Sequence, residues 1–161
     1  MSGADFEIRR GTVEDVDRLE PLFRALWSHH VTLPDMGPTR TAEAAWAIRS
    51  GQYREWLPKD EFTLLLAERD GAPIAYAVVS IGGAGATWDV GDRWAEVETL
   101  SVLESERGGG VGKALMDAAD EVATEAGAAA LVVGVAHTHA NALRFSEPEG
   151  YRPFYVTQMK S

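Results

Sequence analysis

The sequence predicts a mixed α/β (α+β) fold, on two observations. Strand-like segments in the first half are joined by a short turn signal, so they pair antiparallel. In the second half a strand, a helix and a further strand follow one another, the order of a parallel crossover. With 161 residues, 45% of them hydrophobic and 25% charged, the chain can bury a real core, and residues 1–161 are expected to form a single domain.

FEIRR, Phe6 to Arg10, alternates and reads as the first strand. Thr12 and Asp15 resemble a capping box, with Asp in place of the usual Glu or Gln. The helix that follows carries Val16, Leu19, Phe23, Leu26 and Trp27 on one face. HHVTLPDMGPTR, from His29, holds turn formers and two prolines and reads as a loop. Thr41 to Trp56 is a second helical region, interrupted near Gly51. Phe62 to Glu68 is a strand, RDGAP a turn, and Ile74 to Ile81 its antiparallel partner. GGAGATWDVGDR, from Gly82, is a long loop before a strand at Trp94 to Leu103, whose apolar positions are Val97, Leu100 and Val102. Val111, Leu115, Ala118, Val122 and Ala126 then recur at helical spacing, and Gly127 is a helix stop. Ala130 to Val135 is a fifth strand, apolar enough to be buried on both faces. Asn141 to Phe145 reads as a short helix and Tyr151 to Met159 as a terminal strand.

Composition removes several function classes. The absence of cysteine excludes disulfides, a thiolate nucleophile and cysteine-ligated metals. The polar start MSGADFEIRR carries no secretory signal, and no apolar run approaches the roughly 18 residues that span a bilayer, so an intracellular, cytoplasmic protein without a membrane partner is expected. The formal net charge of −10 offers no basic face for nucleic acid. It would favour a cationic substrate such as an amine, but on charge alone solubility is the better explanation. His29 with His30 and His137 with His139 are close in sequence, but they lack a fixed carboxylate partner, and no metal is expected.

The stretch RGGGVGKAL, Arg107 to Leu115, places four glycines just before a helix. A P-loop would need glycine at Arg107 and Ser or Thr at Ala114. A dinucleotide fingerprint from Gly108 would need glycine at Lys113. Both fail. Arg107-x-x-Gly110-x-Gly112 instead fits (Q/R)-x-x-G-x-(G/A), and with its strand and helix it resembles the GCN5-related N-acetyltransferase (GNAT) family. Amides opening a helix point outward unpaired at the positive end of its dipole, and glycine lets a pyrophosphate approach them.

The resemblance covers nearly the whole chain: EIRRGTVEDVDRLEPLF, WAEVETLSVLESERGGGVGKALMDAA and ALRFSEPEGYRPF are similar to the family's first, central and last segments. It implies a six- or seven-stranded mixed sheet flanked by helices, with splayed central parallel strands. It also implies acetyl-CoA as co-substrate, its pantetheine arm paired along Leu100, Ser101 and Val102. Its phosphates would lie on Arg107, Gly108, Gly109, Gly110, Val111, Gly112 and Lys113, with Asn141 a further contact. The acceptor implied is a small-molecule or peptide amine, with a homodimer as a candidate assembly. The alternative is an acetyl-CoA-binding sensor or interaction module with little or no transfer.

Acetylation of an amine needs a base, oxyanion stabilisation and a departing thiolate. Glu96 and Glu98, two apart on a strand, share a face. Glu96 lies eleven residues before Arg107, which matches the catalytic glutamate of the family's histone-type members, with Glu98 as runner-up. The amide of Leu100 or Val102 is the oxyanion donor by the same resemblance. Where the family carries a tyrosine acid this chain has Ser146, followed by Pro148; His139 stands where an asparagine is usual, with Asn141 displaced. Ser146 could hold a water, Tyr151 or Tyr155 could substitute, or the thiolate could leave unassisted. Of the tryptophans at 27, 46, 56, 88 and 94, most read as core or cover, while Trp88 and Trp94, with Asp89 and Asp92, lie where the family admits its acceptor.

Overall fold

The computed structural model describes residues 5–83, 85–87, 89–136, 138, 140, 147–154 and 156–160. The chain divides into two compact units, Met1–Thr32 with Pro38–Gly134, and Leu33–Gly37 with Val135–Ser161. The larger unit holds a five-stranded sheet in the order β1 (Glu7–Arg10), β2 (Phe62–Arg69), β3 (Ala72–Gly83), β4 (Arg93–Val102), β5 (Ala130–Val133). Neighbours are antiparallel up to β4, and β4 with β5 is parallel. Three helices flank it: α1 (Glu20–His30), α2 (Ala42–Trp56) and α3 (Val111–Glu125). Among the described residues no helix is long and apolar enough to cross a membrane.

The capping box is present, but the turn it opens, Val13–Leu19, is a 3-10 helix that leads into α1. The Thr12 side chain accepts from Glu14 N–H and Asp15 Oδ2 accepts from Thr12 N–H at 2.9 Å. Asp15 also receives Arg9 (2.8 Å) and Arg18 (3.0 Å), and both arginines reach Glu68 of β2. The Arg9 hydrogen bonds, more than any other cause, hold the buried Asp15 carboxyl well below its ordinary 3.8. Asp15→Asn keeps the shape and loses the charge, and should cost about 2 kcal/mol, the scale of a lost cap plus a charged hydrogen bond. Urea unfolding at neutral pH tests this. Because the folded pKa is depressed, the contribution is complete above the ordinary value and fades as pH falls from there toward the folded one. The gap between wild type and variant should narrow in acid.

β2 and β3 are joined by Asp70–Gly71, with φ of 52° and 77°, as a two-residue turn of the primed kind requires. One sheet face places Leu64, Leu66, Tyr76 and Val78 against Val16, Leu19, Leu22, Phe23, Trp46 and Tyr53 in a single buried cluster. The intervening Leu65, Ala67, Ala75, Ala77 and Val79, also buried, turn to the other face by strand alternation. α3 packs across β2, β3 and β4.

Several expectations are corrected. α2 is continuous through Gly51. The glycine sits on the exposed face, where its cost of about 1 kcal/mol is outweighed by burial of Trp46 and Tyr53. The buried stripe of α3 is Val111, Leu115, Met116, Ala119, Val122 and Ala123, while Ala118 and Ala126 are half-buried. α3 ends with Gly127 N–H on Thr124 O and Ala128 N–H on Ala123 O, the paired bonds of a Schellman stop. β5 is shorter than expected and half-buried throughout, since it has a described neighbour on one edge only. The sheet has five strands among the described residues, not six or seven. The shortfall lies in the smaller unit, where residues 151–154 and 156–160 form no strand. Pro153 lacks a ladder donor, and Phe154, Val156 and Met159 are exposed. The short helix expected at Asn141 to Phe145 lies outside the described residues.

Candidate active site

β4 supplies most of the candidate chemistry. Its ladder with β3 slips by one residue: Val78 pairs with Thr99 and Val79 with Val97, so Glu98 is the extra residue of a β-bulge. The sequence rule that residues two apart share a face ignores such a slip, yet the two carboxylates still come together. Ser80, the partner of Glu96 in the register, donates its hydroxyl to Glu98 Oε1 at 2.7 Å. Glu96 is half-buried, and burial first, then the nearby Glu98 charge, raises its pKa above the ordinary 4.5. A carboxylate so placed is a stronger proton acceptor than an exposed glutamate.

The parallel ladder between β4 and β5 runs only from Trp94–Ala130 to Val97–Val133. Beyond it, β4 continues to Val102 with no described strand on that side. Leu103 N–H donates to Ile74 O of β3. Strand alternation then turns the backbone groups of Ser101 toward β3 and those of Leu100 and Val102 toward the open edge. Ser101 is committed elsewhere through its side chain too, since its Oγ donates to Leu22 O at 2.7 Å.

The chain leaves β4 through a 3-10 turn, Glu104–Glu106, anchored by an ion pair of Glu106 with Arg69 of β2 at 2.9 Å. Arg107 and Gly108 to Gly110 follow, all exposed. Gly108 and Gly110 have φ of 81° and 84°, a region that favours glycine, and beyond chain neighbours a Cβ at either would meet none of the described residues within 4 Å. These two glycines therefore answer a backbone requirement, and among the described residues the space beside them is open. Gly110 caps α3 without a side-chain hydrogen bond, and no acidic residue occupies the first turn. The amides of Val111, Gly112 and Lys113 thus open the helix at its positive end. Lys113 pairs with Asp117 one turn on, at 2.9 Å. The open edge of β4 and this helix start fit an extended ligand that ends in phosphates.

Ser146 and Asn141 lie outside the described residues, as do Trp88, His137, His139 and Tyr155. Trp94 is half-buried on β4. Trp46 is core, and Trp56 stacks on Phe62 with centroids 5.0 Å apart. Trp27 donates its Nε1 proton to Arg40 O. Sequence reasoning missed Ser80, Thr99 and Tyr53, whose partners are remote in sequence. The polar Thr99 and Ser101 within an apolar strand were the available signal.

The family model described as "Acetyltransferase (GNAT) family" matches residues 22–151. None of the curated proteins compared matches the chain. Among solved structures, the chain is similar to the aminoglycoside N-acetyltransferase AAC(6')-Iy in complex with CoA: 19% identity, TM-score 0.78, 99% of this chain and 96% of that one. It is also similar to a tetramutant of the BH1408 protein from Bacillus halodurans: 20% identity, TM-score 0.80, 96% and 99%. A third is the ribosomal-protein-alanine N-acetyltransferase from Brucella melitensis biovar Abortus 2308: 17% identity, TM-score 0.68, 97% and 98%. These likenesses show the fold. The family match, spanning most of the sequence, shows that the chain belongs to the acetyltransferase (GNAT) family and is an N-acetyltransferase that uses acetyl-CoA.

Proposed function

We propose that the whole chain is one acetyltransferase domain and that it acetylates a primary amine by direct attack in a ternary complex. The observation that carries this is the end of the β4–β5 ladder at Val97, which leaves Leu100 and Val102 on an open edge between the two glutamates and the glycine loop. Acetyl-CoA supplies an activated acyl carbon. The amides of Gly108 to Lys113 take its pyrophosphate, and Leu100 and Val102 pair with its pantetheine arm. Glu96 accepts the ammonium proton, directly or through water, with Glu98 beside it held by Ser80. The freed amine nitrogen bonds to the acyl carbon, the amide of Leu100 or Val102 donates to the oxyanion, and the carbon–sulfur bond breaks as the carbonyl re-forms. The nitrogen, positively charged after attack, loses its extra proton to water as the amide forms, and the departed thiolate takes a proton from water, so one thiol appears per amide.

The names of the similar structures include an aminoglycoside and a ribosomal-protein acceptor, which supports a small-molecule or peptide amine here. A cytoplasmic site of action, where acetyl-CoA is available, belongs to the same proposal. No observation favours the sensor alternative. Free-thiol release measured across an amine panel tests the reading: one thiol should appear per amide formed.

Ser146 stands where the family has a tyrosine, and its hydroxyl is a poor acid at neutral pH. A thiolate of ordinary pKa leaves readily without help. Ser146→Ala should therefore cost less than about tenfold in kcat, below about 1.4 kcal/mol in the barrier. A hundredfold loss with acetyl-CoA binding intact would instead make Ser146 part of a proton relay.

A further inference from the structure

Where β4 loses its β5 neighbour it gains anchors on the helix side. Thr99 Oγ1 shares a hydrogen bond of 2.7 Å with Tyr53 OH of α2, and Tyr53 OH shares another of 3.1 Å with Tyr76 OH of β3. Two residues on from Thr99, Ser101 Oγ donates to Leu22 O of α1 at 2.7 Å. All of these side chains are buried, Tyr53 and Tyr76 completely. Arg49, on α2 itself, lies over the rings of Tyr53 and Trp56 one and two turns further along the helix.

Hydroxyls are a costly way to fill a core. Valine and alanine would occupy the same space, and a buried hydroxyl without a partner costs about 1–3 kcal/mol. Once bonded, its net contribution to stability is small. What it adds is direction: a hydrogen bond fixes the strand at one position along its length, which apolar packing does less sharply.

We propose that Thr99 and Ser101 are positioning residues, two buried tethers on either side of Leu100 that hold the open edge of β4 at the register in which Leu100 and Val102 meet the pantetheine arm. Tyr53 is the anchor of the first tether, and Tyr76 orients it. The inference rests on the acetyl-CoA site proposed above.

The test compares two ligands on the full chain by calorimetry: acetyl-CoA, which uses the strand edge, and 3′-phospho-ADP, the nucleotide half of coenzyme A, which needs only the glycine loop and the start of α3. Thr99→Val should raise the Kd of acetyl-CoA about tenfold, the scale of one misdirected hydrogen bond. Its Kd for 3′-phospho-ADP should stay within about twofold. Thr99→Ser, which keeps the hydroxyl, should restore most of the loss. Ser101→Ala should act in the same direction and carries the comparison if Thr99→Val fails to fold. Equal weakening of both ligands, or unchanged binding of both, would overturn the tether proposal. Wild-type protein that binds neither ligand would instead overturn the acetyl-CoA site itself.

Discussion

Glu96→Gln is expected to lower kcat at least about a hundredfold, the lower range for a positioned general base, while the Kd for acetyl-CoA stays within about twofold. The substitution preserves size and hydrogen-bonding shape and removes only the ability to take a proton. Glu96 is half-buried beside Glu98, and both the burial and the neighbouring charge raise its pKa. As a base it works only when deprotonated, so wild-type activity should fall as pH drops through that raised value. The acidic limb of the pH–rate profile should therefore lie above the ordinary glutamate value of 4.5. In Glu96→Gln that limb should disappear with the lost turnover. Glu98→Gln should lower the limb instead, because removing the neighbouring charge makes Glu96 easier to ionise. If Glu98→Gln removes the limb and Glu96→Gln does not, the base is Glu98.

Gly110→Val is expected to raise the Kd for acetyl-CoA at least about tenfold, 1.4 kcal/mol or more, while the backbone strain lowers the thermal midpoint by about 2–8 °C and leaves the fold intact. Gly110 has φ of 84° and caps α3, and beyond its own chain neighbours no described residue lies within 4 Å of where its Cβ would stand. The variant therefore meets no clash among the described residues. A β-branched residue resists the left-handed region at a cost of about 1–2 kcal/mol, and the chain relieves it by turning the local peptides. Those peptides carry the amides offered to the pyrophosphate, and the new side chain fills the space the phosphates need. Unchanged affinity with an intact fold would remove the glycine loop from the site.

What the sequence made legible is what is local. The capping pair Thr12 and Asp15, the Asp70–Gly71 turn and the glycines before α3 each write their geometry into a few adjacent residues. The strand–glycine–helix order was readable for the same reason. The bulge at Glu98 was not, because it arises from pairing with β3 and leaves no mark on alternation within β4. Thr99 and Ser101 look like polar interruptions of an apolar strand until Tyr53 and the Leu22 carbonyl are brought to them, 46 and 79 residues away in sequence. Gly51 suggested a break because propensity counts one residue at a time, whereas tertiary burial of Trp46 and Tyr53 acts on the whole helix. The terminal strand at Tyr151 to Met159 rests on the local sequence and on the resemblance of its start to the family's last segment, and neither specifies a pairing partner.

The most direct measurement is a crystal structure of the complex with coenzyme A. The expected result is the pyrophosphate on the amides of Gly108 to Lys113, the pantetheine arm paired with Leu100 and Val102 beyond the end of the β4–β5 ladder, and the sulfur close to Glu96 and Glu98. Coenzyme A bound away from this edge, or phosphates held elsewhere than at the start of α3, would contradict it.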